Sequence, residues 1–269
     1  MYYLPRSSVE NSLPTVHELN DRGIEVSLSY LPVAHQDLGG TKEDVAVYFH
    51  AIDTIKKLKL HSDLTLKVHQ FGWYLDPALA QKNIEKVVAH AHKAGVFIWV
   101  DMELAPTIDW TLDLFYSLKK KYSNVGVCLQ AYHRRTERDL YKLLAKKSAV
   151  RLVKGFYKDG DFKTWQEVTN NYHKLMKPLL FHSSKPAIAT HDIALLDEAK
   201  RIIKKNKIKN AELQFFYSIC DEYAFASAEE GFKCRIYLGF GTLLPFFVKG
   251  FMTFDKIRSW KRFFGMKLS

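Results

Sequence analysis

Cysteine is scarce in this chain. Its three cysteines, Cys128, Cys220 and Cys234, are an odd number with no metal-ligand spacing. That argues against a disulfide framework and a cysteine-held zinc centre, and it points to buried free thiols in a reducing compartment. No apolar run is long enough to span a bilayer. The first eight residues lack the apolar core of a secretion signal, so a cytoplasmic location is expected. There is no zinc finger, RNP-like strand or long basic arm. Lysine and arginine read as spread over helix faces, and nucleic acid is not an expected partner. No linker, low-complexity tract or charge block divides the chain, and no glycine-rich turn follows the first strand. The last absence weighs against an open doubly wound sheet.

What is present is a 269-residue chain that is 47% hydrophobic, with a formal net charge of +11 and a pI near 9.3. The size suits one large barrel or two smaller domains. The charge suits an anionic ligand, an acidic partner or a membrane surface. Short apolar, β-branched runs are expected as strands at 24–30, 64–68, 96–100, 125–129, 150–153, 186–189, 211–215 and 235–238. Helical periodicity fills most of the gaps. One helix should begin at Thr41 after a loop holding Gly39 and Gly40, and others should cover 110–121, 162–176 and 193–205. Between 215 and 235 there is room for a helix without a clear signal. Regular alternation of eight strands with helices predicts a single-domain (β/α)8 barrel over 1–269. The final helical stretches, at 242–264, should cap its active-site face.

In such a barrel, chemistry sits at the C-terminal ends of the strands. Lys67, Asp101, Gln130, Arg151, Thr190 with His191, Gln214 and Tyr237 fall there, on seven consecutive strands. Each has an ordinary reading: an Asp caps a helix, a His bonds a loop, a Tyr packs. Together they form a polar layer that is costly to bury with nothing bound. The set holds no activated Ser or Cys and no second carboxylate facing Asp101, as a glycosidase would need. Arg151 stands in an apolar strand, where its desolvation calls for an anionic or electron-rich neighbour, and Gly155 lets backbone approach a ligand. Cations, amides and phenols suit a flat, electron-rich, partly anionic cofactor.

The segments Val-Gly-Val-Cys-Leu-Gln130-Ala-Tyr-His-Arg-Arg135, Arg151-Leu-Val-Lys-Gly-Phe-Tyr157, Ala189-Thr-His191, Glu212-Leu-Gln214 and Arg235-Ile-Tyr237 occur in that order. Taken together they resemble the proline dehydrogenase family, over nearly the whole chain. The resemblance implies an FAD-dependent (β/α)8 enzyme. It places Arg151 beside the flavin N5 and Gln130 on the pyrimidine side of the ring. It lays Met102, Val153, Lys154 and Gly155 along the cofactor, sends Thr190 and His191 to its phosphates or ribityl chain, and sets Gln214 nearby. Lys67 matches a contact to the substrate carboxylate, Asp101 supports the polar network, and Tyr157 and Tyr237 shape the substrate pocket. The implied reaction is hydride transfer from proline to the flavin, giving pyrroline-5-carboxylate, with electrons passing on to a quinone or another acceptor.

The sequence departs from the family where two adjacent arginines and a following glutamate grip the substrate carboxylate. Here Lys249, Gly250 and Thr253 stand in their places. Phe156 and Lys158 also differ from the residues usual beside the flavin. Lysine keeps a charge but not the bidentate fork. Oxidation of a different cyclic or secondary amine, or of a proline derivative, is therefore a second expectation, and a non-catalytic barrel a third. Residues 254–269 mix basic and apolar side chains. They suit a last helix packed on the barrel with a solvated basic face, and secondarily a peripheral helix on an anionic membrane at its inner face.

Overall fold

The computed structural model describes residues 8–31, 37–155 and 160–241. Eight parallel strands close into a barrel: β1 (Glu25–Tyr30), β2 (Ser62–Leu66), β3 (Ile98–Val100), β4 (Val125–Gln130), β5 (Ala149–Val153), β6 (Lys185–Ala189), β7 (Glu212–Phe216) and β8 (Lys233–Phe240). The sheet runs in sequence order, and β8 pairs with β1 to close it. Helix α1 (Leu13–Asp21) precedes β1. The helices α2 (Leu38–Leu58), α3 (Pro77–Ala94), α4 (Ile108–Lys119), α5 (Thr136–Ala145), α6 (Trp165–His182), α7 (Ile193–Asn206) and α8 (Asp221–Glu229) fill the seven connections. Tyr157, Lys249 and the helical stretches expected at 242–264 lie outside the described residues.

The strands' period of two divides their work. Val26, Leu28, Leu64, Leu66, Val150 and Leu152 are fully buried. They lie between sheet and helices, each such side chain contributing about 1.5–3 kcal/mol by leaving water. The alternate positions face inward and are mostly polar or charged: Ser27, Asp63, Thr65, Arg151, Glu212 and Arg235 are all buried. Barrel interiors are usually filled by branched aliphatic residues; this one is filled largely by ions and hydroxyls. Trp99 is the large exception. An added Cβ at Gly126 would meet its Cζ3 at 2.5 Å, so glycine on β4 makes room for the indole.

Several expected boundaries move. Helix α2 begins at Leu38, not at Thr41. Asp37 is its cap, accepting the Gly40 N–H at 2.8 Å, and the two glycines expected in a loop form its first turn. Helix α6 starts from the capping box of Thr164 and Glu167 and continues past Pro178 to His182, because Leu179 and Leu180 on its far turn are buried. Helix α8, which had no clear signal, occupies the β7–β8 connection. Some helix lysines collect at C-termini. Lys56 and Lys57 end α2, and Lys204 and Lys205 end α7. There, at the barrel's N-terminal face, they meet the negative ends of the helix dipoles.

Candidate active site

Strand β2 ends at Leu66, and its inward face continues through Asp63, Thr65 and Lys67. Strand β3 carries Trp99 and then Asp101 on the same side. The Lys67 ammonium donates to Asp101 Oδ2 at 2.8 Å and to Glu103 at 3.4 Å. Asp101 gathers further donors. Cys128 Sγ–H and Arg151 Nη1 reach its Oδ1 at 3.1 and 3.4 Å, and the Tyr237 hydroxyl reaches Oδ2 at 3.5 Å. Five strands thus meet on one carboxylate at the mouth. Burial disfavours the Tyr237 phenolate and pushes that hydroxyl's pKa up, so it remains a donor; it also bonds Ser29 at 2.5 Å. Burial likewise pushes the Cys128 thiol well up, which keeps it protonated.

Glu103 had no place in the sequence reading, which found no second carboxylate near Asp101. It lies two residues beyond Asp101, on the same side, and that spacing was the available signal. Burial alone would raise its pKa. The charge of Lys67 and a bond from His69 outweigh that and hold it at about 2. Lysine stands between the two carboxylates, so both are compensated as anions. An acid–base pair of the glycosidase kind needs one of them protonated.

The remaining predicted residues surround this centre. Gln130 ends β4, donating from Nε2 to the carbonyls of Met102 and Glu103 at 2.9 and 3.0 Å. Its Oε1 is buried with no partner among the described residues. Arg151, two residues deeper in register on β5, is also buried, and its Nε has no partner among the described residues. Its other nitrogens reach Thr65 Oγ1 at 3.3 Å and Ser27 Oγ at 3.0 Å, and its guanidinium carbon lies 4.7 Å from the centre of the Trp99 ring. Lys154 follows β5, bonded to Asp192 at 2.5 Å and 3.8 Å from the centre of the Trp165 ring. Burial lowers its pKa, against the pull of Asp192. Gly155 has φ +67°, and a Cβ there would meet the Tyr132 ring at 2.6 Å. Both facts require glycine at that position.

Thr190 and His191 follow β6. Thr190 Oγ1 accepts the Asp192 N–H at 3.1 Å. His191 Nε2 accepts the Phe216 N–H at 2.9 Å, which requires a neutral ring, and burial lowers its pKa to about 4. Gln214 donates to Glu212 at 2.9 Å and so joins a deeper cluster. There Glu212 and Asp63 flank Arg235 at 2.9 and 3.1 Å, Glu25 meets the same guanidinium, and Lys185 reaches Glu212 at 3.0 Å. Burial opposes both charges, yet Arg235 holds the Glu212 carboxyl far below the usual range. Much of the inward polar set is thus answered within the protein. Among the described residues of β4 and β5, Gln130 Oε1 and Arg151 Nε stay unanswered.

These two groups fit an electron-rich heterocycle that both donates and accepts hydrogen bonds. A buried cation suits one that gains negative charge on reduction. The flavin ring meets both conditions. Among the described residues no three His, Cys, Asp or Glu side chains gather as a metal site. No helix among them is long and apolar enough to cross a membrane.

Comparison with known proteins gives a consistent result. The family profile described as proline dehydrogenase matches residues 12–248. Proline dehydrogenase 2 of Bacillus subtilis (strain 168) is 32% identical over 236 residues, covering 86% of this chain and 78% of that protein. Proline dehydrogenase of Deinococcus radiodurans is 27% identical over 249 residues, covering 89% and 80%. Among solved structures, proline utilization A (PutA) from Bdellovibrio bacteriovorus, inactivated by N-propargylglycine, superposes with a TM-score of 0.82 at 19% identity. The match covers 90% of this chain but only 31% of that much longer one, and it bears on the fold alone.

Proposed function

Because the chain belongs to the proline dehydrogenase family, it is an oxidoreductase acting on a CH–NH group, and we propose that it oxidises proline to pyrroline-5-carboxylate with FAD as cofactor. The observation that carries this reading is the pair of unanswered buried groups, Gln130 Oε1 and Arg151 Nε, on neighbouring strands of a barrel mouth. Bound flavin supplies the hydride acceptor. Arg151 contributes fixed positive charge where negative charge develops, the form of stabilisation on which enzymes rely most. Gln130 orients the ring. Met102, Val153, Lys154, Gly155, Thr190, His191 and Gln214 line the remainder of the cofactor site. Lys67, steadied by Asp101 and Glu103, offers an N–H to the substrate carboxylate. Tyr237, kept protonated by its surroundings, shapes the substrate pocket; Tyr157 and Lys249 are further candidates on the family resemblance alone. The substrate amine gives up its proton before the carbon–hydrogen bond breaks, so the rate rises with pH. A quinone or another acceptor takes the electrons onward.

Relatives named proline dehydrogenases favour this reading over a different amine substrate and over a non-catalytic barrel. Anaerobic mixing of the FAD-loaded protein with L-proline tests it. Bleaching of the flavin absorbance is the expected result. A loaded protein that stays oxidised refutes proline as substrate, and a protein that takes up no FAD refutes the cofactor.

A further inference from the structure

The hold on Arg151 is unusual for a buried cation. Among the described residues its only carboxylate is Asp101, reached by one nitrogen at 3.4 Å. The rest of the guanidinium is met by neutral groups: the hydroxyls of Ser27 and Thr65 and the face of Trp99. Hydroxyls stabilise a cation only when their oxygens face it, and a hydroxyl proton is free to rotate. Something must fix the direction of these bonds.

Asp63 does so. Its Oδ1 lies 2.5 Å from Ser27 Oγ, and its Oδ2 lies 2.8 Å from Trp99 Nε1. A carboxylate only accepts, so the single Ser27 proton belongs to Asp63. In the 2.9 Å contact between Ser27 and Thr65, Thr65 is then the donor. Ser27 is left with a lone pair toward Arg151 Nη2. Thr65, its proton committed to Ser27, accepts from Arg151 Nη1. The Trp99 N–H is tied to the same carboxylate, which fixes the indole whose face lies against the guanidinium. Arg235 holds Asp63 from below at 3.1 Å. One carboxylate that never touches Arg151 thus turns two hydroxyl dipoles and one aromatic face toward it.

We infer that Asp63, acting through Ser27 and Trp99, is a positioning residue for Arg151, fixing the guanidinium so that its unpartnered Nε is presented at the cofactor site. This rests on the flavin reading above. In Asp63→Asn an amide N–H must face either Ser27, whose proton then turns back toward the cation, or the Trp99 N–H. Either arrangement places donor against donor. Ser27→Ala removes the relay but leaves the Asp63–Trp99 bond. Trp99→Phe keeps the ring and removes its tether.

The test measures the reduction potential of the bound flavin, together with kcat and KM for proline, in the FAD-loaded protein. Ser27→Ala is expected to weaken the preference for reduced over oxidised flavin about tenfold, a shift of about 30 mV to more negative potential for a two-electron couple. Turnover should fall about tenfold with KM within about twofold, because the effect lies on the reacting charge and not on substrate binding. Trp99→Phe should shift the potential in the same direction, and Ser27→Thr should restore it. Asp63→Asn should shift it furthest. If that variant does not fold, Ser27→Ala and Trp99→Phe still decide the matter. Variants that melt earlier but keep the wild-type potential and turnover would show a merely structural cluster and overturn the inference. A wild-type protein that takes up no flavin overturns the functional reading, and this inference with it.

Discussion

Two arginines stand inside the barrel, one near its base and one near its mouth, and they are held in opposite ways. Arg235 at the base meets Asp63, Glu212 and Glu25, and it also donates to the Val26 carbonyl at 3.0 Å. Arg151 toward the mouth has one distant carboxylate, two hydroxyls and an aromatic face, and keeps a nitrogen without a partner. A saturated buried cation has nothing left to offer a ligand. An unsaturated one is tolerated only where a ligand completes it. On the proposed function, the base therefore serves the fold and the mouth serves the chemistry, although both are built from charged and polar residues on inward strand positions.

Substitution separates the two most sharply. Arg235→Met strands two buried carboxylates and should cost about 3–5 kcal/mol in urea denaturation. A loss under about 1 kcal/mol would show that the base is not what holds the barrel. Arg151→Met should do the reverse, lowering turnover by about 10²–10³-fold while stability changes by less than about 1 kcal/mol, because methionine removes a poorly compensated charge. A folded, active Arg151→Met protein would break the comparison.

Acid sharpens it. His191 at the mouth has its pKa lowered by burial to about 4, against an ordinary value of 6.5. The unfolded chain takes up this proton first, so stability is present above pH 6.5 and is lost as pH falls toward 4. The loss amounts to about 3 kcal/mol. Glu103 acts lower, its contribution being lost only as pH falls from 4.5 toward about 2. Denaturation curves from pH 7 to 4 should show the histidine step in the wild type and lack it in His191→Gln, whose amide oxygen still accepts the Phe216 N–H.

The smallest effect belongs to Cys128, whose thiol is one of several donors to Asp101. In Cys128→Ser a hydroxyl still donates there. Stability should stay within about 1 kcal/mol and turnover within about threefold.

The mouth was legible in the sequence because strand ends in a β/α alternation are where function collects. Lys67, Asp101, Gln130, Arg151 and Tyr237 come together as that rule requires. The base was not legible by the same rule, since its residues sit deeper. Parity gave them away: Arg235 is two residues before Tyr237, Glu212 two before Gln214, and Asp63 four before Lys67, each on the same face. Trp99 passed as one more apolar residue in a strand. Only its N–H, bonded to Asp63, shows it to be part of the polar interior. The α2 start was hidden because a pair of glycines signals a loop, and the Asp37 cap overrides that preference. The weak periodicity of α8, in which Ala224 and Ser227 are the buried positions, gave no helical stripe to read.

The bond from Arg235 to Val26 joins residues 209 positions apart. On a ribosome, Glu25 and Asp63 are made long before the cation that answers them. Until β8 arrives, the growing sheet has an open edge at β1 and hydrated carboxylates where its interior will be. It cannot dry out early, because burying those anions alone is too unfavourable. Loop closure over such a span is slow. The arginine of the last strand is therefore the clasp as well as the plug. Emergence of β8, and not any earlier collapse, is the expected moment at which this barrel closes.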